Sequence, residues 1–82
     1  MKIKVVGVKP QKGISKKTNN PYDMIIVAYT RKADKLGYVG ESAGEMWIDR
    51  GFFTELGREP VPGDVLIVDR NGSFVEDVAF EF

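Results

Sequence analysis

The chain contains no cysteine and no histidine. Without cysteine there is no disulfide framework and no thiolate chemistry, which fits a reducing cytoplasm. Without histidine there is no imidazole ligand for zinc and no histidine general base, so only carboxylates remain for hard metal ions. Asp49, Asp64 and Asp69 are the acids a strand edge could bring together, but they lack the spacing of a ligand set, so no metal and no cofactor is expected. No nucleophile–base pair is present either, and the chain is not expected to be an enzyme. Long apolar runs are also missing: nothing approaches the roughly 20 residues of a membrane span. The opening MKIKVVGVKP has no long apolar centre and no small-residue cleavage site, so a secretory leader is not expected.

Net charge is lacking as well, with 12 basic against 12 acidic residues. The balance conceals a polarity. Residues 1–35 carry nine Lys/Arg against Asp23 and Asp34, whereas residues 36–82 carry Arg50, Arg58 and Arg70 against ten acids. A charge asymmetry of this size between halves is a composition signal for a dedicated binding face. At 82 residues the chain makes one domain, 1–82, and a domain this small buries only about 60 % of its unfolded surface.

What is present is β pattern. Ile3, Val5 and Gly7 alternate with Lys2, Lys4 and Val6, predicting a half-buried first strand over Lys2–Val8. A basic loop over Lys9–Pro21 follows, with Gly13 and Asn19-Asn20-Pro21 as turn and breaker signals. Tyr22–Arg31 predicts a second strand apolar on both faces: Met24, Ile26 and Ala28 on one, Ile25, Val27 and Tyr29 on the other. Lys32–Gly44 reads as a glycine-bearing wing, and Glu45–Asp49 as a short third strand. Phe52, Phe53 and Leu56 stand at helical spacing between Gly51 and Gly57, predicting a short helix ended by Gly57. After a connector at Arg58–Gly63 come a fourth strand at Asp64–Arg70, a hairpin turn at Asn71-Gly72 and a fifth strand at Ser73–Phe82, in which Glu76 is the one misfit. Phe52, Phe53, Phe74, Phe80 and Phe82 are assigned mainly to the core.

Three strands, a helix, then two strands joined by a tight hairpin is the layout of an all-β, five-stranded OB-like Greek-key barrel with one short helix between strands three and four. An SH3-like barrel is the rival, but its helical turn precedes the last strand.

On such barrels ligands lie across strands two and three, flanked by the first–second and fourth–fifth strand loops. Here those places hold Lys9, Lys12, Lys16 and Lys17, with Arg31, Lys32 and Lys35 following strand two. No acid occurs between Met1 and Tyr22, whereas surfaces that serve only solubility mix their signs. Tyr22, Tyr29, Tyr38 and Trp47 are the candidate base-stacking platforms, with Tyr29 and Trp47 open between core and binding face. A cationic groove floored by aromatic rings is the recipe for single-stranded nucleic acid. The expected partner is single-stranded DNA, with RNA left open. The alternative is a small adaptor that binds a protein through the apolar strand-two face or the acidic second half. GISKKT, at Gly13–Thr18, lacks the spacing of a phosphate loop and leads into a strand rather than a helix.

The passage GISKKTNNPYDM resembles the loop-to-strand segment of the filamentous-phage single-stranded-DNA-binding (helix-destabilising) proteins, through Lys17, Pro21, Tyr22, the basic wing and a similar length. The resemblance implies an OB-like homodimer that coats single-stranded DNA during phage replication in the bacterial cytoplasm. Lys17 would contact phosphate and Tyr22 would lie at the binding face. The sequence departs from that family where Asn19-Asn20 replaces a Gly-Lys pair, where the Phe52–Leu56 helix is large, and in its neutral charge.

Overall fold

The computed structural model describes residues 1–33, 37, 39–72 and 74–81. Five strands and one helix follow in the order β1 (Lys2–Ile14), β2 (Pro21–Lys32), β3 (Glu41–Asp49), α1 (Arg50–Leu56), β4 (Val65–Asn71) and β5 (Phe74–Glu81). All strand neighbours are antiparallel and form one sheet in the order β3-β2-β1-β4-β5. The hydrophobic core takes every second residue of each strand, as a sheet with one covered face requires. It comprises Ile3 and Val5 of β1, Ile25, Val27 and Tyr29 of β2, Met46 and Ile48 of β3, Leu66 and Val68 of β4 and Val78 of β5, closed by Phe53 of α1. Met1 extends the β1–β4 ladder, its carbonyl accepting from the Val68 N–H at 2.8 Å.

The helix forms where two caps allow it. The Asp49 carboxylate accepts the Gly51 N–H at 2.8 Å, and Gly57 ends the helix in the left-handed region at φ 90°, its N–H returned to the Phe53 carbonyl. Phe53 is thereby pointed into the core, with its ring 6.2 Å from that of Phe80. Outside Phe80 lies the Arg58 guanidinium, 3.9 Å from the ring centre. The same guanidinium forks onto both oxygens of Asp64 at 2.8 and 3.1 Å. That pair, with the Val61 N–H donating to the same carboxylate, holds Asp64 below the usual carboxylate range against the opposing effect of burial.

Several sequence expectations need correction. The first strand does not end at Val8: its ladder with β2 continues from Val8↔Val27 to Ile14↔Pro21, so Lys9 and Lys12 lie on a strand and only residues 15–20 turn. Lysine, proline and glycine read locally as loop, but β2 supplies a hydrogen-bonding partner from a distance. Pro10 is tolerated because pairing of β1 with β4 stops at Lys4↔Val65, leaving that side of the later β1 residues without a ladder partner among the described residues. The third strand begins at Glu41 rather than Glu45, and takes in part of the expected wing. The hairpin turn falls one residue late, since Asn71 pairs with Phe74 inside the ladder.

Phe74, expected in the core, is 78 % exposed. The ladder runs Asp69↔Asp77 and then Arg70↔Val75, so Glu76 is an extra residue on β5 and reverses the facing of everything before it. Val75 turns to the core and Phe74 to solvent. The misfit Glu76 is the bulge itself. A second bulge, at Val6, leaves that residue half exposed next to the buried Val5.

The long β1–β2 pairing stretches the molecule. Its radius of gyration is 13.6 Å and its longest extent 43 Å, where about 12 Å would suit a globule of this length. Past Val8 the pair has lost β4, and past Gln11↔Met24 it leaves β3 as well and projects as an arm ending in the residue 15–20 turn. The Ser15 N–H donating to the Asn20 carbonyl closes that turn, with Asn19 left-handed at φ 57°.

Candidate nucleic-acid interface

Residues paired across neighbouring strands share a face, so the register sorts the side chains. Opposite the core, the outer face of β1–β2–β3 reads in rows: Lys4, Thr30 and Ala43; Gly7, Ala28 and Glu45; Lys9, Ile26 and Trp47; Gln11, Met24 and Asp49; Gly13 and Tyr22. The central column, Tyr22, Met24, Ile26 and Ala28, is only half-buried. Lys9 flanks it on the β1 side, and Glu45 and Asp49 on the β3 side.

Two rings stand on this face. Trp47 is 47 % exposed. Tyr22 lies across Gly13: a Cβ added there would sit 2.7 Å from the Tyr22 hydroxyl oxygen. Absence of a side chain at Gly13 is what lets the tyrosine lie down, and its ring then rests 6.4 Å from that of Trp47 at an angle of 52°. Such tilted pairs are favourable arrangements of two aromatic quadrupoles.

Tyr29 is corrected as a platform. It faces inward at 8 % exposure, its hydroxyl end against the backbone of Gly44, and belongs to the core. Tyr38 and Lys35 lie outside the described residues.

The cations divide along the arm. Lys9 is on the outer face, and Lys16 and Lys17 are exposed in the turn; among the described residues none of the three has an ion-pair partner. Lys12 is on the opposite face, its ammonium 3.8 Å from Asp23. Asp23 is held mainly by Arg50, whose Nε donates at 2.8 Å and which also reaches Glu59. Arg31 and Lys32 stand at the far end of β2, about 36 Å from Pro21 at roughly 3.3 Å per residue. Lys32 is paired across the ladder with Glu41, and Arg31 is half-buried on the core-side face. A single continuous trough of all the expected cations is therefore not what the fold builds. It gathers Lys9, Lys16, Lys17, Tyr22 and Trp47 along the arm, and sets Arg31 and Lys32 apart.

Sequence reasoning overlooked Met24 and Ile26 as the floor between the rings. It also overlooked an open groove of about 640 Å³ beside Trp47, walled by Phe52 and Phe74 and edged by Asp49 and Glu55. Gly13 opposite Tyr22 was the available signal for the first. Nothing local signalled the second, because it depends on the β5 bulge. Among the described residues no cluster of acids is arranged to hold a metal ion, and no helix is long and apolar enough to cross a membrane. Compared with known proteins, the chain matches no family model, no curated protein and no solved structure.

Proposed function

We propose that this protein binds single-stranded DNA without regard to sequence, through the outer face of the β1–β2 arm. The observation that carries the reading is the register that sets Lys9 in the same row as Trp47, two rows from Tyr22, with the unpaired Lys16 and Lys17 at the tip beyond. The phosphate backbone would follow the lysine side of the arm, away from Glu45 and Asp49, while bases stack on Tyr22 and Trp47. Each stacked base contributes about 1–3 kcal/mol and is accepted whatever its identity. Met24 and Ile26 would give the bases an apolar bed between the two rings.

The OB-like reading belongs to the same proposal. In the order β3-β2-β1-β4-β5 the strands β3 and β5 are the two edges, and a sheet in this order becomes a five-stranded, partly open barrel when those edges approach. The family resemblance adds phage-type DNA replication in a bacterial cytoplasm, with no catalytic step.

Titrating oligo-dT against Trp47 and tyrosine fluorescence at two salt concentrations tests the reading. Three free lysines at about −0.7 each give a slope of log K against log salt near −2, so a fourfold rise in salt weakens binding by roughly one order of magnitude. No quenching, or a flat salt response, removes the proposal. The adaptor reading is favoured by one feature, the groove at Phe52 and Phe74, whose acids repel phosphate.

A further inference from the structure

The groove and the arm tip have opposite chemistries. The groove is bedded by Met24, Trp47, Phe52 and Phe74 and carries two carboxylates, Asp49 and Glu55. Glu55 has no ion-pair or hydrogen-bond partner among the described residues, and Asp49 accepts only the Gly51 N–H. Phe74 is more exposed than any other described aromatic side chain. Exposed aromatic anchors beside unpaired acids form a surface for an apolar side chain followed by cations. The arm tip presents that sequence: Ile14, 66 % exposed, then Ser15, Lys16 and Lys17.

The tip cannot reach the groove of its own chain. Pairing that continues to Ile14↔Pro21 holds the turn out beyond Tyr22, whereas the groove opens at Met24 and below. We infer that the groove receives the arm tip of a second copy of this chain, with Ile14 against Phe74 and Phe52 and the ammonium groups of Lys16 and Lys17 on Glu55 and Asp49. Arm and groove adjoin within each molecule through the Tyr22–Trp47 ring pair, so a two-fold arrangement seats both arms at once and closes the assembly as a dimer. The zero net charge of the chain, built from a basic and an acidic half, suits such a contact.

The consequence is competition. Lys16 and Lys17 cannot hold carboxylates and phosphates together, so a single strand that takes the arm releases the second copy, which parts this chain from the DNA-coating homodimer that the resemblance implies. Only this last step rests on the proposed nucleic-acid binding.

Sedimentation of the full chain over a range of protein and salt concentrations tests the contact. A dimer that dissociates as salt rises is expected. Phe74→Ala weakens it by about tenfold, as loss of an exposed aromatic anchor does. Lys16→Glu with Lys17→Glu, or Glu55→Lys alone, each weakens it by about fivefold, and combining all three substitutions restores part of the loss. Phe74 and Glu55 are exposed, so the variants fold, and circular dichroism verifies that they do. A monomer at every concentration overturns the inference, as does a dimer indifferent to Phe74→Ala and Glu55→Lys. Adding oligo-dT is expected to yield monomers bound to DNA; intact dimers saturated with oligo-dT overturn the contact. If oligo-dT does not bind, the nucleic-acid reading fails while a salt-sensitive dimer that requires Phe74 still sustains the arm–groove contact.

Discussion

Within β1 the same strand behaves in two ways. Its first residues, Lys2 to Lys4, pair with β4, and from Lys4 on it pairs with β2; Ile3 and Val5 are enclosed there. From Val8 to Ile14 it keeps β2 but loses β4, and no residue there is buried. Ladder hydrogen bonds are present in both parts; cover by the rest of the sheet is not. The difference teaches that strand formation and core formation are separable. The first needs one partner, the second needs layers on both sides.

Substitutions that touch the covered part should break that contrast most severely. Phe53→Ala removes the ring that closes the core from α1 and should cost about 3–5 kcal/mol. That is a large share of the roughly 4–12 kcal/mol expected for a domain of this length, so denaturant unfolding should show a chain at the edge of stability. In the arm, Ile14→Ala should move the midpoint by no more than about 0.5 kcal/mol, since the side chain is already in solvent. A comparable loss at Ile14 would mean that the arm is covered after all.

Next in size is the effect on binding. Lys16→Glu with Lys17→Glu should leave the unfolding midpoint nearly unchanged and weaken oligo-dT binding for every sequence alike, because phosphate contacts carry no base information. A drop confined to some sequences would point to base contacts instead.

Acid stability sharpens the comparison from the covered side. The folded pKa of Asp64 lies below its unfolded value, so the carboxylate contributes stability above the unfolded pKa and loses it as pH falls through the folded one. The ordinary aspartate value is about 3.9, which places the loss below about pH 4. Asp64→Asn should flatten that part of a stability–pH curve measured in urea.

The smallest effect belongs to Gly13→Ala. The new methyl displaces the Tyr22 hydroxyl end, which can swing away, so stability should change little. Tyr22 would leave its place beside Trp47, and the tryptophan emission spectrum should shift; an unchanged spectrum would mean that the rings are not held together.

How much of this was legible follows from the same distinction. Strand β2 was found within one residue at each end, because apolar residues on both faces mark a strand whichever way it lies. The helix was found because its stop signal, Gly57, is local. The lower half of β1 was not, since its composition is that of a loop and its partner lies across the turn. Phe74 was misplaced because a bulge changes facing without changing composition; Glu76 marked the spot, but only the register shows which side of it is reversed. Of the residues in the proposed binding face, the lysines and Tyr22 were visible in the sequence as a basic stretch leading into a strand. Their separation from Arg31 and Lys32 follows from the length of β2.

Pro10 has a bearing on what the protein avoids becoming. A backbone margin with every amide intact would offer a ready seam for foreign chains to zip onto, and the arm would act as a seed for fibrils. One imino acid, with Lys9 before it and Lys12 two residues after, spoils that seam while leaving the inner pairing whole. Replacing it with threonine should yield a protein that folds as before and precipitates on standing.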